Sequence, residues 1–126
     1  MPKKLLIVED NAVVRQGLAV LLEREGYEVA LAAEGRQALG DLECSPRPDL
    51  VLLDMLLPIL DGWRFLEELQ SLQPPLTAPI IIVTGSDAIG HDWAQAHGCA
   101  GLLRKPIEME ALLAEIRRCL AEDSEA

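Results

Sequence analysis

The chain has 126 residues and a formal net charge of −10, with half of its residues apolar and a quarter charged. This length indicates one domain, and the acidic balance disfavours direct binding to nucleic acid, which requires a basic face. The cysteines at 44, 99 and 119 have no metal-ligand spacing, which indicates reduced thiols and a cytoplasmic protein. No apolar run is long enough for a signal peptide or a membrane span.

The first half of the chain alternates between strand-like and helix-like patterns. The predicted elements are a strand at 5–8, a helix at 12–25, a strand at 27–31 and a helix at 34–43. The first strand is a continuous apolar run, typical of a buried strand, whereas the second alternates in polarity and is expected at a sheet edge. Asn11 and Gly26 are the residues expected to begin and end the first helix.

The segment at 49–62 is the one around which the rest is organised. It begins with an apolar run at 50–53, which predicts a strand buried on both faces in the middle of a parallel sheet. The run ends on Asp54, and Pro58 together with the Asp61-Gly62 dipeptide predicts a turn. Asp54 is therefore expected at the C-terminal tip of a central strand, where open α/β sheets place their chemistry.

The second half continues the same alternation. The predicted elements are a helix at 63–72, a strand at 80–83, a helix at 88–97, a strand at 100–103 and a helix at 108–120. The fourth helix is predicted to be weak, because Gly90 costs it about 1 kcal/mol relative to alanine. The last helix carries a clear apolar stripe, and residues 122–126 form a polar tail.

Five alternating βα units predict an α/β fold in a single domain. The expected sheet is doubly wound, with five parallel strands in the flavodoxin-like order 2-1-3-4-5 and helices on both faces. The C-terminal ends of the strands share one edge of such a sheet, and they carry Glu9, Asp10, Asp54, Thr84 and Lys105. Each residue alone has an ordinary explanation as a cap, turn or surface residue, so the signal is their joint placement.

Three carboxylates this close together need a compensating charge. Mg²⁺ fits, because it takes oxygen ligands, binds one or two carboxylates directly and keeps several waters. We expect Asp10 and Asp54 to bind it directly and Glu9 to bind it through a water. The backbone carbonyl of Leu56 could add a ligand. A free oxygen of Asp54 could then attack a phosphoryl group, whose charge the metal and Lys105 would share.

Four groups of residues also match a known family. They are Leu6-Ile7-Val8-Glu9-Asp10-Asn11, Leu53-Asp54-Met55 with Pro58 and Asp61-Gly62, Val83-Thr84-Gly85, and Lys105-Pro106. Together they resemble the receiver domain of two-component response regulators over nearly the whole chain. The resemblance implies that Asp54 accepts phosphate from a histidine kinase or a histidine phosphotransfer protein. It also implies a cis peptide bond between Lys105 and Pro106.

The resemblance implies roles for the supporting residues as well. Glu9 and Asp10 would hold Mg²⁺. Thr84 would be the switch hydroxyl, and Lys105 would pair with the phosphoryl group. One departure from the family is Leu102, which stands three positions before the lysine where the family often has an aromatic residue.

We therefore predict a receiver domain at residues 1–121 that acts as a phosphoacceptor and not as an enzyme. Phosphorylation would shift a two-state equilibrium on the face made by the fourth helix, fifth strand and fifth helix. The signal would pass to a partner protein or to an output domain outside this sequence. We expect a monomer or a weak phosphorylation-dependent dimer, with no contact to nucleic acid or membrane.

Three other functions fit these residues less well. A receiver-like module that binds proteins without ever taking phosphate is the main alternative, although the intact set of acids, threonine and lysine argues against it. A haloacid dehalogenase-type phosphatase also uses a strand-end aspartate, but it needs a second acid two residues later, where this chain has Leu56. A dinucleotide-binding role lacks the glycine fingerprint after the first strand.

Overall fold

The fold is built on a five-stranded parallel sheet. A computed structural model describes residues 2–44, 46–54, 59–74, 76–86 and 88–120, without the side chains of residues 44 and 59–63. The strands are β1 (Lys4–Val8), β2 (Glu28–Ala32), β3 (Leu50–Asp54), β4 (Ile80–Thr84) and β5 (Gly101–Arg104). The helices are α1 (Ala12–Arg24), α2 (Gly35–Cys44), α3 (Ile59–Gln70), α4 (His91–Ala96) and α5 (Met109–Leu120). The predicted tail at 122–126 lies outside the described residues.

The strand order confirms the prediction. The sheet runs β2-β1-β3-β4-β5, and every neighbouring pair is parallel. β1, β3 and β4 are buried at nearly every position, because helices cover both of their faces. β2 lies at an edge and is largely half-exposed, as its alternating pattern predicted. The register pairs Val8 with Leu53 and Asp54 with Val83, so the ends of the central strands lie side by side.

The sheet divides the hydrophobic core into two layers. On one face, Ala38 of α2 and Leu66 of α3 pack with residues of α4 and the strands. On the other face, Leu22 of α1 and Ile116 of α5 pack against the sheet. Burial of each large apolar side chain contributes about 1.5–3 kcal/mol relative to exposure. Because α1 and α3 lie on opposite faces, the sheet is doubly wound and a crevice opens beside the ends of β1 and β3.

Two helices differ from their predicted bounds, while all other elements agree to within one residue. α3 begins at Ile59 and not at residue 63, so the prediction of a turn at Asp61-Gly62 is wrong. Both residues lie in the first turn of α3, where N–H groups have no intrahelical partner to lose and an acidic residue is favoured. α4 is only 6 residues long, because Gly90 is its N-cap and offers no capping side chain.

The outer side of edge strand β5 is covered by two charged side chains of α5. Glu115 accepts a hydrogen bond from the Leu102 N–H at 3.3 Å, and its carboxylate lies 2.8 Å from Arg118 Nε. Arg118 Nη2 donates to the Ala100 carbonyl at 2.6 Å. A Cβ at Gly101 would lie 2.7 Å from the Glu115 carboxylate, so a larger residue there would displace it. The hydrogen bond from Arg118 lowers the pKa of Glu115 below its ordinary value.

Candidate functional site

Acidic, hydroxyl and ammonium side chains gather at the carboxyl edge of the sheet. Since the strands are parallel and in register, the ends of β1, β3 and β4 place Glu9, Asp54 and Thr84 along this edge. β5 ends at Arg104, and Lys105 follows directly. The edge borders the crevice between β1 and β3, which is where open α/β sheets bind their ligands.

The best-defined contact of the site is the ion pair between Asp54 and Lys105. Lys105 Nζ lies 2.8 Å from Asp54 Oδ2, and the two side chains are 26% and 6% exposed, respectively. Neither carboxylate oxygen of Asp54 makes a hydrogen bond to a described residue, so the lysine contact is an ion pair without hydrogen-bond geometry. A buried carboxylate with unused acceptor capacity is costly to keep, and such groups point to a bound ion or a chemical role.

Glu9 is buried beside Asp54 although it carries a carboxyl group. It is 2% exposed, and its Oε2 accepts a hydrogen bond from the Asn11 N–H at 3.0 Å. Its Oε1 has no hydrogen-bond partner among the described residues. Burial raises the pKa of Glu9 and the neighbouring Asp54 carboxyl adds to the rise, whereas the Asn11 N–H and the Asp10 side chain oppose it. A cation between these carboxylates would relieve their mutual repulsion.

The donor set fits a hard divalent cation. Glu9 Oε1 and Asp54 Oδ1 are buried oxygens that no described group satisfies, and oxygens are the ligands that Mg²⁺ prefers. Asp10 is exposed, and within the described ranges no three acidic, histidine or cysteine side chains already form a ligand cluster. Mg²⁺ does not require one, because it binds one or two carboxylates and keeps several waters. The Leu56 carbonyl, the further ligand predicted from the sequence, lies outside the described residues.

Thr84 is fully buried at the end of β4. Its Oγ1 accepts a hydrogen bond from the Ser86 N–H at 3.0 Å, which leaves the hydroxyl proton available for donation. The Lys105 N–H donates to the Thr84 carbonyl at 2.9 Å and so joins the ends of β4 and β5. The peptide bond between Lys105 and Pro106 is cis, as the family resemblance implied.

Two arginines that the sequence patterns did not reveal hold the loops of this site. Arg15 Nη1 donates to the Glu9 carbonyl at 2.9 Å and steadies the acidic loop after β1. Arg104 donates to the carbonyls of Ser86 and Ile89 at 2.7 and 2.8 Å. The available signal was the place of Arg104 at a strand end. A side chain that binds distant backbone carbonyls, however, leaves no periodic trace in a sequence.

Comparison with known proteins identifies the family. The model of the response regulator receiver domain matches residues 5–117. The chain belongs to the response regulator receiver domain family. Receiver domains are the signalling modules of two-component systems, and the family confirms the resemblance seen in the sequence. None of the helices that the structure describes combines the length and the hydropathy needed to cross a bilayer.

Named relatives of this receiver domain include regulators and solved structures. The chain is 40% identical over 121 residues to the response regulator MprA of Mycolicibacterium vanbaalenii. The match covers 95% of this chain and 51% of MprA. The chain thus spans about half the length of the curated relatives it matches. The chemotaxis protein CheY4 of Vibrio cholerae is 30% identical, with a TM-score of 0.81 over 94% of this chain and 99% of CheY4.

A second solved structure bears on the metal. The receiver domain of the sensor histidine kinase PA1611 from Pseudomonas aeruginosa is 32% identical to this chain, with a TM-score of 0.80. The match covers 96% of this chain and 99% of that one. That protein has a magnesium ion coordinated in its active-site cleft.

Proposed function

We propose that this receiver domain accepts a phosphoryl group on Asp54 from a phosphohistidine, with Mg²⁺ in the site. The observation that carries the proposal is the state of the Asp54 carboxylate. It is 6% exposed, paired with Lys105 and without a hydrogen bond to any described residue. The ammonium of Lys105 places a positive charge beside this carboxylate, and the unused lone pairs of the carboxylate are what a nucleophile requires.

Phosphoryl transfer is an in-line displacement at phosphorus. An oxygen of Asp54 forms a bond to phosphorus while the bond between phosphorus and the donor's imidazole nitrogen breaks, and that electron pair returns to the imidazole. Lys105 shares the charge of the phosphoryl oxygens, and Thr84 donates a hydrogen bond to one of them. Mg²⁺, when bound, supplies further positive charge there. Asp10 and Asp54 would hold it directly, and Glu9 through a water.

Labelling with acetyl phosphate and Mg²⁺, measured by intact-protein mass spectrometry, tests this proposal. We expect the parent chain to gain an alkali-labile phosphoryl group and Asp54→Asn to gain none. Asp41→Asn changes an exposed aspartate of α2 and should label like the parent. A parent chain that stays unlabelled by both acetyl phosphate and a phosphorylated histidine phosphotransfer protein would favour the module that signals by docking alone.

An apolar groove beside the site supports a helical phosphodonor. The groove has a volume of about 410 Å³ and lies between α1 and the start of α5, where Val14, Leu21 and Met109 line it. Lys105 also lines the groove and is the partner of Asp54. Because one residue borders both features, a donor helix seated in the groove would bring its phosphohistidine to Asp54. Unpartnered apolar surface of this kind is typical of a docking site.

Substitution of one groove residue separates docking from chemistry. Val14 lines the groove and is 38% exposed, whereas Val20 lies on the same helix, is 48% exposed and does not line it. Val14→Glu should slow transfer from a phosphorylated histidine phosphotransfer protein but leave labelling by acetyl phosphate unchanged. Val20→Glu should affect neither. Equal slowing by both variants would place the docking surface elsewhere on α1.

We infer that residues 1–121 form the receiver and that the α4-β5-α5 face passes the signal to a partner protein or to an output domain beyond this sequence. Relatives about twice as long are consistent with an output domain. The chain promotes its own phosphorylation and dephosphorylation and does not turn over a separate substrate. The cytoplasmic location and the monomer or weak dimer stay predictions.

A further inference from the structure

Arg104, the last residue of β5, holds the connection between β4 and α4. Its Nη1 donates to the Ser86 carbonyl at 2.7 Å, and its Nη2 donates to the Ile89 carbonyl at 2.8 Å. We call these two hydrogen bonds the Arg104 clamp. Ile89 is 1% exposed, so one of the two carbonyls belongs to a residue that is packed in the core. The planar guanidinium binds both carbonyls at once, which the single ammonium of a lysine cannot reproduce.

The same connection controls the Thr84 hydroxyl. The Ser86 N–H donates to Thr84 Oγ1 at 3.0 Å, and the Ser86 carbonyl is one of the two that Arg104 binds. Ser86 thus links the two side chains through its own backbone N–H and C=O groups. Since the Ser86 N–H occupies one lone pair of Oγ1, it restricts the directions in which the hydroxyl proton can point.

The side chain of Leu102 takes no part in the connection between β5 and the loop after Thr84. Leu102 stands two residues before Arg104 on β5, at the place where the family often has an aromatic residue, and it is 5% exposed. A leucine side chain has no hydrogen-bond donor or acceptor, so the side chain of Leu102 cannot bind the loop after Thr84 by a hydrogen bond. The two bonds of Arg104 supply the polar connection between this strand and that loop.

We infer that Arg104 is a positioning residue that, through Ser86, orients the Thr84 hydroxyl for a phosphoryl group on Asp54. The inference rests on the proposed function. The two terminal nitrogens of Arg104 bind the Ser86 and Ile89 carbonyls, so we expect its effect on phosphorylation to pass through Ser86 and Thr84. Loss of the clamp frees Ser86 and with it the hydroxyl.

A double-mutant cycle on the rate of labelling by acetyl phosphate tests this coupling. We expect Arg104→Met to slow labelling about tenfold, and Thr84→Val to slow it at least as much. The combined variant should be no slower than Thr84→Val alone, because Arg104 acts through Thr84. Arg36→Met, on the exposed surface of α2, should label at the parent rate. Multiplicative slowing in the combined variant, or a parent rate in Arg104→Met, overturns the inference.

Amide hydrogen exchange at Ser86 provides a second test that needs no phosphorylation. The Ser86 N–H should exchange faster in Thr84→Val, which lacks its acceptor, and in Arg104→Met, which lacks the clamp. Arg104→Lys should restore protection only in part. Unchanged Ser86 exchange in Arg104→Met, with a parent chain that labels normally, overturns the inference alone. A parent chain that takes up no phosphate overturns the proposed function instead.

Discussion

The carboxylates of Asp54 and Glu115 are each paired with a cation, but only that of Glu115 has hydrogen-bond partners at both of its oxygens. Asp54 lies 2.8 Å from Lys105 and makes no hydrogen bond to a described residue. Glu115 lies 2.8 Å from Arg118 and also accepts the Leu102 N–H. A carboxylate whose acceptors are filled is a structural group, whereas one whose acceptors are left open remains available for chemistry.

The place of each carboxylate in the sheet explains this difference. Asp54 ends a central strand, and no backbone group among the described residues donates a hydrogen bond to its carboxylate. Glu115 reaches from a helix to an edge strand, where backbone groups need partners. Edge strands supply donors that a carboxylate can satisfy, and strand ends supply a crevice that a ligand can enter.

The largest effect is expected when the cation of the Asp54–Lys105 pair is removed. Lys105→Met should reduce the rate of labelling by acetyl phosphate roughly 10²-fold, because no ammonium then shares the charge of the phosphoryl oxygens. Lys3→Met removes an exposed lysine and should label at the parent rate. Mass spectrometry over a time course measures both rates. Unchanged labelling in Lys105→Met would show that this pair is as structural as the pair of Glu115 and Arg118 on α5.

Added Mg²⁺ should raise the unfolding temperature, and this rise should depend on the carboxylate of Asp54 but not on that of Glu115. At ten times its dissociation constant, a bound ion stabilises the folded state by about 1.4 kcal/mol. The parent chain should therefore unfold at a higher temperature when MgCl₂ is added, and Asp54→Asn should lose most of that increase. Glu115→Gln, which leaves the open carboxylates in place, should keep it. An equal increase in Asp54→Asn would place the ion at another site.

The pair of Glu115 and Arg118 should affect the stability of the fold and not the rate of labelling. Because the folded-state pKa of Glu115 lies below its ordinary value of 4.5, its stabilisation is present above that pH and is lost as the pH falls through the lowered pKa. We expect Glu115→Gln to reduce the free energy of unfolding by about 1 kcal/mol at neutral pH and by less in acid. Urea denaturation at both pH values measures this. A loss independent of pH would contradict the role given to its charge.

The smallest effect is expected at a third pair, on the open surface. Arg117 Nη2 lies 3.6 Å from Glu25 Oε1, and the two side chains are 44% and 38% exposed. Water screens such a pair, so Arg117→Met should change the free energy of unfolding by less than about 0.5 kcal/mol. Urea denaturation beside Glu115→Gln gives the comparison. A loss as large as that of Glu115→Gln would mean that saturation of acceptors does not set the strength of these pairs.

The strand ends were predictable because buried parallel strands leave a plain signal. The apolar runs at 50–53 and 80–83 predicted the positions of Asp54 and Thr84, and the alternation of strands and helices predicted the parallel sheet. The start of α3 was not predictable in the same way. Asp61-Gly62 is a common turn dipeptide, and here the helix that packs Leu66 into the core overrides that local preference.

Contacts between side chains and distant backbone groups could not be predicted from the sequence. Arg104 and Glu115 bind backbone groups far away in the chain, and such bonds depend on where a side chain happens to reach in three dimensions. Neither contact follows a period of 2 or 3.6 residues, which is what pattern analysis detects. Glu9 and Asp54 have buried carboxylate oxygens without hydrogen-bond partners among the described residues. This, too, can be recognised only from the structure.

The α5 side chains along β5 also decide how one copy of this molecule can meet another. An uncovered edge strand invites a second chain to extend the sheet, which leads to swapped dimers and fibrils. On β5 the Leu102 N–H is already taken by Glu115, and Arg118 holds the Ala100 carbonyl just before it. A second chain that extended the sheet at β5 would have to displace Glu115 and Arg118 from these two groups, so the two side chains oppose growth into a continuous intermolecular sheet.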